Sequence, residues 1–213
     1  TVQRAGGAAA LLERFATGES QALIGTQMVS KGHHFPRVGL SAVLAADGYL
    51  GFPDFRAVER TYSLLAQLGG RSGRGTVAGR VVIQTYHPDH YAITAALAHD
   101  DAGFAREELR FRKAFHYPPY TRMILVGSRG HDRGLAEKNL LDFTARLRAQ
   151  DLPADLRIQG PGPAPFERLR GEWRFQLALR AQDGRWLRRA VQTALGPAAK
   201  RGLTVDVDPQ SLL

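Results

Sequence analysis

The spacing of apolar positions changes period several times along the chain, and each change marks an element. Residues 8–16 (AAALLERFA) repeat at helical spacing, and Gly18 ends the run. Residues 22–25 (ALIG) read as a short buried strand, and 39–46 (GLSAVLAA) as an apolar strand of a parallel sheet covered on both faces. Pro53 and Asp54 suit the start of a helix reaching about Leu68, with proline in the first turn and the carboxylate at the positive end of the dipole. Residues 80–85 (RVVIQT) form a third strand. This order predicts an open α/β layer with ligands at the strand ends. Helices over 88–98 and 100–114 follow, the second with Phe104, Leu109 and Phe111 as an apolar stripe, until Tyr117-Pro-Pro-Tyr120 breaks the pattern.

A second rhythm then begins. A strand is expected over 121–128, a helix over 133–149 and a strand over 156–160. An extended turn (GPGPAP, 160–165), an alternating strand (WRFQLALR, 173–180), a helix over 184–200 and a last strand over 203–207 follow. The βαββαβ order is that of a split-βαβ sandwich. The reading is therefore α/β, with a small α+β domain at the C-terminal end. The boundaries expected are 1–96 for the first domain, 97–118 for a connecting helix and linker, and 119–213 for the second.

The net charge of +9 points to an anionic partner such as nucleic acid, or to a solvated basic surface. Residues 1–96 hold 9 Lys/Arg against 6 Asp/Glu, and 97–213 hold 20 against 14, so the excess grows toward the second domain. Cysteine is absent, which excludes disulfides and thiolate zinc sites within the chain. No apolar run has the roughly 18 residues that a membrane helix needs.

The residues with most to say are 67–74, QLGGRSGR. Two arginines among glycines suit a phosphate: the guanidinium binds its oxygens bidentately while glycine lets the backbone approach. In helicase-type motors such a loop is the arginine finger. Arg71 and Arg74 are candidates for the γ-phosphate, with Gln67 orienting the attacking water or touching that phosphate, and Gly70 and Gly73 are candidate nucleotide-binding positions in the same loop. Upstream lies IGTQMVSKGHHFP at 24–36. There Gly25, Thr26, Gln27 and Lys31 could bond a DNA phosphate, and resemblance to helicase-type motors implies that Gly32 and His34 stand near the nucleotide. His33 and His34 could equally be satisfied loop histidines, and no metal site is expected. Asp54, Arg56, Glu59 and Arg60 are placed on one helix, to brace a cleft, contact DNA or pair among themselves. In the second domain Trp173, Arg174 and Phe175 alternate near Arg185 and Arg189. Aromatics among arginines could stack single-stranded bases, or simply serve as core. No GxxxxGK[ST] loop and no acidic Mg-binding tetrapeptide is present, and the chain opens at Thr1. It is expected to be the C-terminal piece of a longer motor and inert toward ATP alone.

Taken together, IGTQMVSKGHHFP, DGYLGFPDFRAVER (47–60), QLGGRSGR, QTYHPD (84–89), HYPPY (116–120) and VDVDP (205–209) resemble the C-terminal part of the PriA family, bacterial replication-restart DNA helicases. The loop reads GGRSGR where the commoner family form is AGRAGR. The resemblance implies that residues 1–96 are the C-terminal part of a RecA-like helicase lobe and 119–213 a DNA-binding domain. It implies ATP and Mg in the full-length protein, zinc in an upstream segment, and none of these held by this chain alone. The partners implied are forked and single-stranded DNA, other primosome proteins, and the tail of single-strand DNA-binding protein near Arg185 and Arg189. The location implied is the bacterial cytoplasm, at the nucleoid. The function implied is fork recognition, ATP-driven remodelling and the start of primosome assembly. The alternative is a non-hydrolysing fork-binding and loading protein with a vestigial helicase fold, and an RNA-binding module is a third reading.

Overall fold

The computed structural model describes residues 7–26, 35, 38–69, 79–196 and 202–213. The chain divides into two compact units, one of Thr1–Leu50 with Glu59–Phe104 and one of Gly51–Val58 with Ala105–Leu213. The short stretch 51–58 thus belongs with the C-terminal half, although 46 residues separate it from the rest of that unit in sequence.

The first unit opens on α1 (Gly7–Thr17), which stops where Gly18 turns left-handed at φ 89°. Strands β1 (Leu40–Val43) and β2 (Arg80–Ile83) run parallel, with Leu40 opposite Arg80 and Val43 opposite Ile83. Residues 22–25 are not a strand: they are irregular, and Ile24 is 93% exposed, because no strand among the described residues offers them a ladder. The apolar strand at 39–46 is shorter than expected and half exposed: Leu40 within it, Leu44 just past its end and Val82 on its partner β2 are all exposed. Helix α2 is a single turn (Asp47–Leu50), and α3 spans Ala57–Gly69. Helix α4 (Tyr91–Ala98) begins after Pro88 rather than at it, because His90 is the cap, its Nδ1 accepting from the Ala92 amide at 3.2 Å. Tyr62 of α3 stacks on Phe104 of α5 (Asp101–Ala114), ring centroids 3.8 Å apart. Farther along α5, the expected stripe fails at Leu109 and Phe111, which are exposed, while Glu108 is buried and pairs at 2.7 Å with the partly buried Arg112.

The second unit is the βαββαβ sandwich: β3 (Arg122–Gly130), α6 (Arg133–Arg148), β4 (Arg157–Leu169), β5 (Glu172–Ala181), α7 (Gly184–Leu195) and β6 (Leu203–Val207). The four strands are all antiparallel in the order β4-β5-β3-β6, so the two central strands are the two that open a βαβ crossover. Alternation sends Ile124 and Val126 of β3, with Phe175, Leu177 and Leu179 of β5, toward the helices. There they pack against Leu140, Phe143 and Leu147 of α6 and Leu187 and Val191 of α7 in one dry core. The segment GPGPAP is not a turn but part of β4, accommodated by two breaks in register, one between Gln159 and Gly162 and one between Pro163 and Arg168. Gly160 sits at φ 99°, and a Cβ there would meet the Gln176 carbonyl oxygen at 2.7 Å.

Candidate nucleic-acid and phosphate interface

Helix α3 carries Gln67, exposed in its last turn, and ends at Gly69. Gly70, Arg71, Gly73 and Arg74 lie outside the described residues, as do Gln27, Lys31, Gly32, His33 and His34. Gly25 and Thr26 are described and exposed, in irregular backbone after α1.

Near the strand ends of the first unit, Asp47 holds the QTYHPD segment. Its carboxylate accepts from the Thr85 hydroxyl at 2.6 Å and the Tyr86 amide at 2.9 Å, while the Gln84 side chain accepts from the Ala45 amide. The Thr85 bond, then the Tyr86 bond, keep the Asp47 carboxyl below its usual range. These contacts fix the ends of β1 and β2 together. An open hollow of about 180 Å³, lined by Leu65, Gly79, Val81, Ile83, Ala96, Leu97 and His99, lies in the same unit.

The DFRAVER stretch is built differently from the expectation of one helix. Helix α3 starts at Ala57, so Asp54 and Arg56 precede it. One oxygen of Asp54 accepts from the Arg56 amide at 2.9 Å, an Asx turn that launches the helix. The other accepts from the Ser211 hydroxyl at 2.6 Å and the Leu212 amide at 3.4 Å, and the Arg56 guanidinium donates to Gln210. Asp54 is 8% exposed, so this carboxylate serves the chain's own C-terminal residues.

In the sandwich, β5 points Trp173 and Arg174 to opposite faces. Trp173 lies on the helix side, with Arg133 at 5.6 Å and Arg168 at 5.2 Å from its ring centre. Phe175 is buried in the core. Arg174 lies on the other face, directly opposite Arg129 of β3. Arg185 and Arg189 are one helical turn apart and exposed on α7. Asp183 caps that helix, accepting from the Arg185 amide at 2.8 Å and the Trp186 amide at 3.1 Å. These two bonds, with lesser help from the Arg185 and Arg189 charges, hold its carboxyl below the usual range. Arg129 was missed by sequence reasoning, although the alternation in RMILVGSRG places it on the polar face of its strand.

Among the described residues, no group of three or more His, Asp or Glu side chains could hold a metal ion, and no helix is long and apolar enough to cross a membrane. What the described surface of the sandwich offers an anion is exposed guanidinium groups, Arg129, Arg185 and Arg189 among them.

Residues 113–210 match the family model described as the primosomal protein N C-terminal domain. The chain is 40% identical over 205 residues to "Replication restart protein PriA" of Haemophilus influenzae, covering 94% of this chain and 28% of that one. The protein of the same name from Synechocystis is 41% identical over 180 residues, covering 84% of this chain and 22% of that one. The Bacillus subtilis protein is 38% identical over 180 residues, again 84% and 22%. The chain thus spans between 22% and 28% of these relatives' length.

Proposed function

The chain belongs to the PriA family, and on that premise we propose that it is part of a replication-restart DNA helicase that recognises stalled forks, remodels them with ATP hydrolysis and starts primosome assembly. The observation that supports this most is that the likeness runs through both units, 40% over 205 residues. The loop 67–74 and the basic sandwich therefore come as a set rather than as separate chance matches.

In this reading residues 1–96 are part of a RecA-like lobe. Gln67, Arg71 and Arg74 meet the γ-phosphate of a Mg-bound ATP held by another lobe, with Gly32, His34, Gly70 and Gly73 around it. Arg74 neutralises charge as the terminal phosphoryl leaves, which is where an arginine finger acts. Gly25, Thr26, Gln27 and Lys31 touch the DNA strand on which the motor moves. The sandwich anchors branched DNA through Trp173, Arg174, Arg185 and Arg189, and the last two also receive the acidic tail of single-strand DNA-binding protein.

The test is DNA-stimulated ATP hydrolysis by the full-length protein on forked DNA, beside Arg74→Ala. Turnover should fall by about 10³-fold or more in the variant. Fork binding with no turnover in the unaltered protein would reject the motor and leave the non-hydrolysing loading platform.

A further inference from the structure

We infer that the helix-free face of the sandwich's sheet grips a phosphate of single-stranded DNA between Arg129 and Arg174. The inference rests on the reading above that this unit binds DNA, and it assigns the place and the strand form.

Helices α6 and α7 cover one face of the sheet, and register defines the other. Across β5 and β3 its facing pairs are Arg174 and Arg129, Gln176 and Gly127, Ala178 and Leu125, and Arg180 and Met123. One end of this face is closed. Met123 is fully buried and Ala178 nearly so, and Arg180 donates to the Phe115 carbonyl at 3.0 Å while lying 4.4 Å from the Tyr117 ring centre. The other end is open, with Arg129 exposed and Arg174 and Gln176 partly exposed.

At that open end two guanidinium groups face each other. Residues directly opposite on antiparallel strands bring their Cβ atoms within about 4.5–5.5 Å, and like charges so placed repel. Other arginines of this unit have found acids: Arg133 has Glu167 at 3.1 Å, and Arg122 has Asp208 at 3.9 Å. Among the described residues, neither the Arg129 nor the Arg174 side chain has an ion pair or hydrogen bond, and the two carboxylates on the same face, Glu172 and Asp206, engage neither. A repulsive pair without an acid is stabilised by an anion between them. A phosphodiester fits, because its two free oxygens match planar donor forks.

The surroundings suit a strand of nucleic acid better than a free ion. Next to the arginine pair, Gly162, Gln176, Gly127 and Thr204 form a row across the four strands. Two of the four have no side chain, which leaves a shallow floor on which a sugar–phosphate backbone can lie. On the β4 side, register passes from Pro163 opposite Phe175 to Arg168 opposite Trp173, so residues 164–167 bulge opposite Arg174 alone. That bulge carries Phe166, 45% exposed, an aromatic surface of the kind on which single-stranded bases stack. Paired bases in a duplex would not offer their faces to it.

The test is fluorescence anisotropy with the whole chain, using an oligothymidine and a blunt duplex over a range of salt. Arg129→Ala and Arg174→Ala should each weaken oligothymidine binding about tenfold and lower the salt slope by about 0.7, the value for one phosphate on a single strand. The double variant should lose little more than either single, since both hold the same phosphate. Phe166→Ala should weaken the oligothymidine and spare the duplex. Melting temperature without DNA should hold or rise in the arginine variants, because repulsion is relieved. Unaltered oligothymidine affinity in both arginine variants, or equal loss on the duplex, would overturn this inference alone. Failure of the unsubstituted chain to bind any DNA would instead sink the DNA-binding reading, and this inference with it.

Discussion

The Ser211 hydroxyl donates to the Asp54 carboxylate at 2.6 Å across 157 residues of sequence. The same carboxylate holds the Leu212 amide and the Arg56 amide, and Leu212 itself is 5% exposed. Asp54→Ala would leave three donors without their acceptor at once. Hydrogen bonds to charged groups contribute about 1.5–3 kcal/mol, so a loss of about 2–4 kcal/mol is expected, against about 1 for Ser211→Ala. Urea unfolding of the chain measures both. Equal stability of Asp54→Ala and the unsubstituted chain would show that the C-terminal residues are held by something else.

Ser128 presents the opposite case. It sits on the helix side of β3, opposite Phe175 and Leu203, and is 2% exposed, with no partner for its hydroxyl among the described residues. An unpaired buried hydroxyl costs about 1–3 kcal/mol in desolvation, whereas its removal as Ser128→Ala leaves only a small void. The variant should be more stable by about 1 kcal/mol in urea unfolding. A loss of stability would mean that the hydroxyl is satisfied in solution.

The two halves of the chain were not equally legible in the sequence. The sandwich could be read because its central strand at 173–180 alternates and its helix over 133–149 has a 3.6-residue stripe, and those periods are local. Even there, GPGPAP looked like a turn, because cues from proline and glycine are local while the ladder that draws these residues into β4 comes from β5. Residues 22–25 are apolar enough for a strand, but strand character needs a partner, and composition does not supply one. Asp54 was read as a helix residue because proline and aspartate favour a first turn. Its use as an acceptor for Ser211 depends on contacts that no window of sequence spans. The same holds for the site. That Trp173 and Arg174 part to opposite faces follows from alternation, but that Arg129 stands opposite Arg174 depends on strand register.

Arg133 joins three elements around Trp173. From the first turn of α6 its guanidinium lies 5.6 Å from the Trp173 and Phe175 ring centres and 3.1 Å from Glu167 of the β4 bulge. Half-exposed ion pairs contribute about 0–1 kcal/mol, and a cation over an aromatic face about 0.5–1. Arg133→Ala should therefore cost about 1–2 kcal/mol. A double-mutant cycle should assign more of this to Trp173 than to Glu167, and high salt should erase only the Glu167 share. A cycle in which Glu167 dominates would reverse the assignment.

Tyr62 makes the stability of the first unit depend on pH in the alkaline range. Burial first, then its hydrogen bond to Asp101 and the charges of Asp101 and Asp100, push the phenol up to about 12 from an ordinary 10. Below about pH 10 folded and unfolded chains both keep the proton, so Tyr62 adds no slope there. Between about pH 10 and 12 the unfolded chain releases it first and binds fewer protons, so stability falls as pH rises through that window. Tyr62→Phe keeps the stack on Phe104 but loses both the bond to Asp101 and the titration. The variant should be less stable at neutral pH, and its unfolding free energy should decline less steeply above pH 10, so the two curves converge. Curves that stay parallel across the window would show that Tyr62 titrates alike in the folded and unfolded chain, and that burial against Phe104 does not hold its proton.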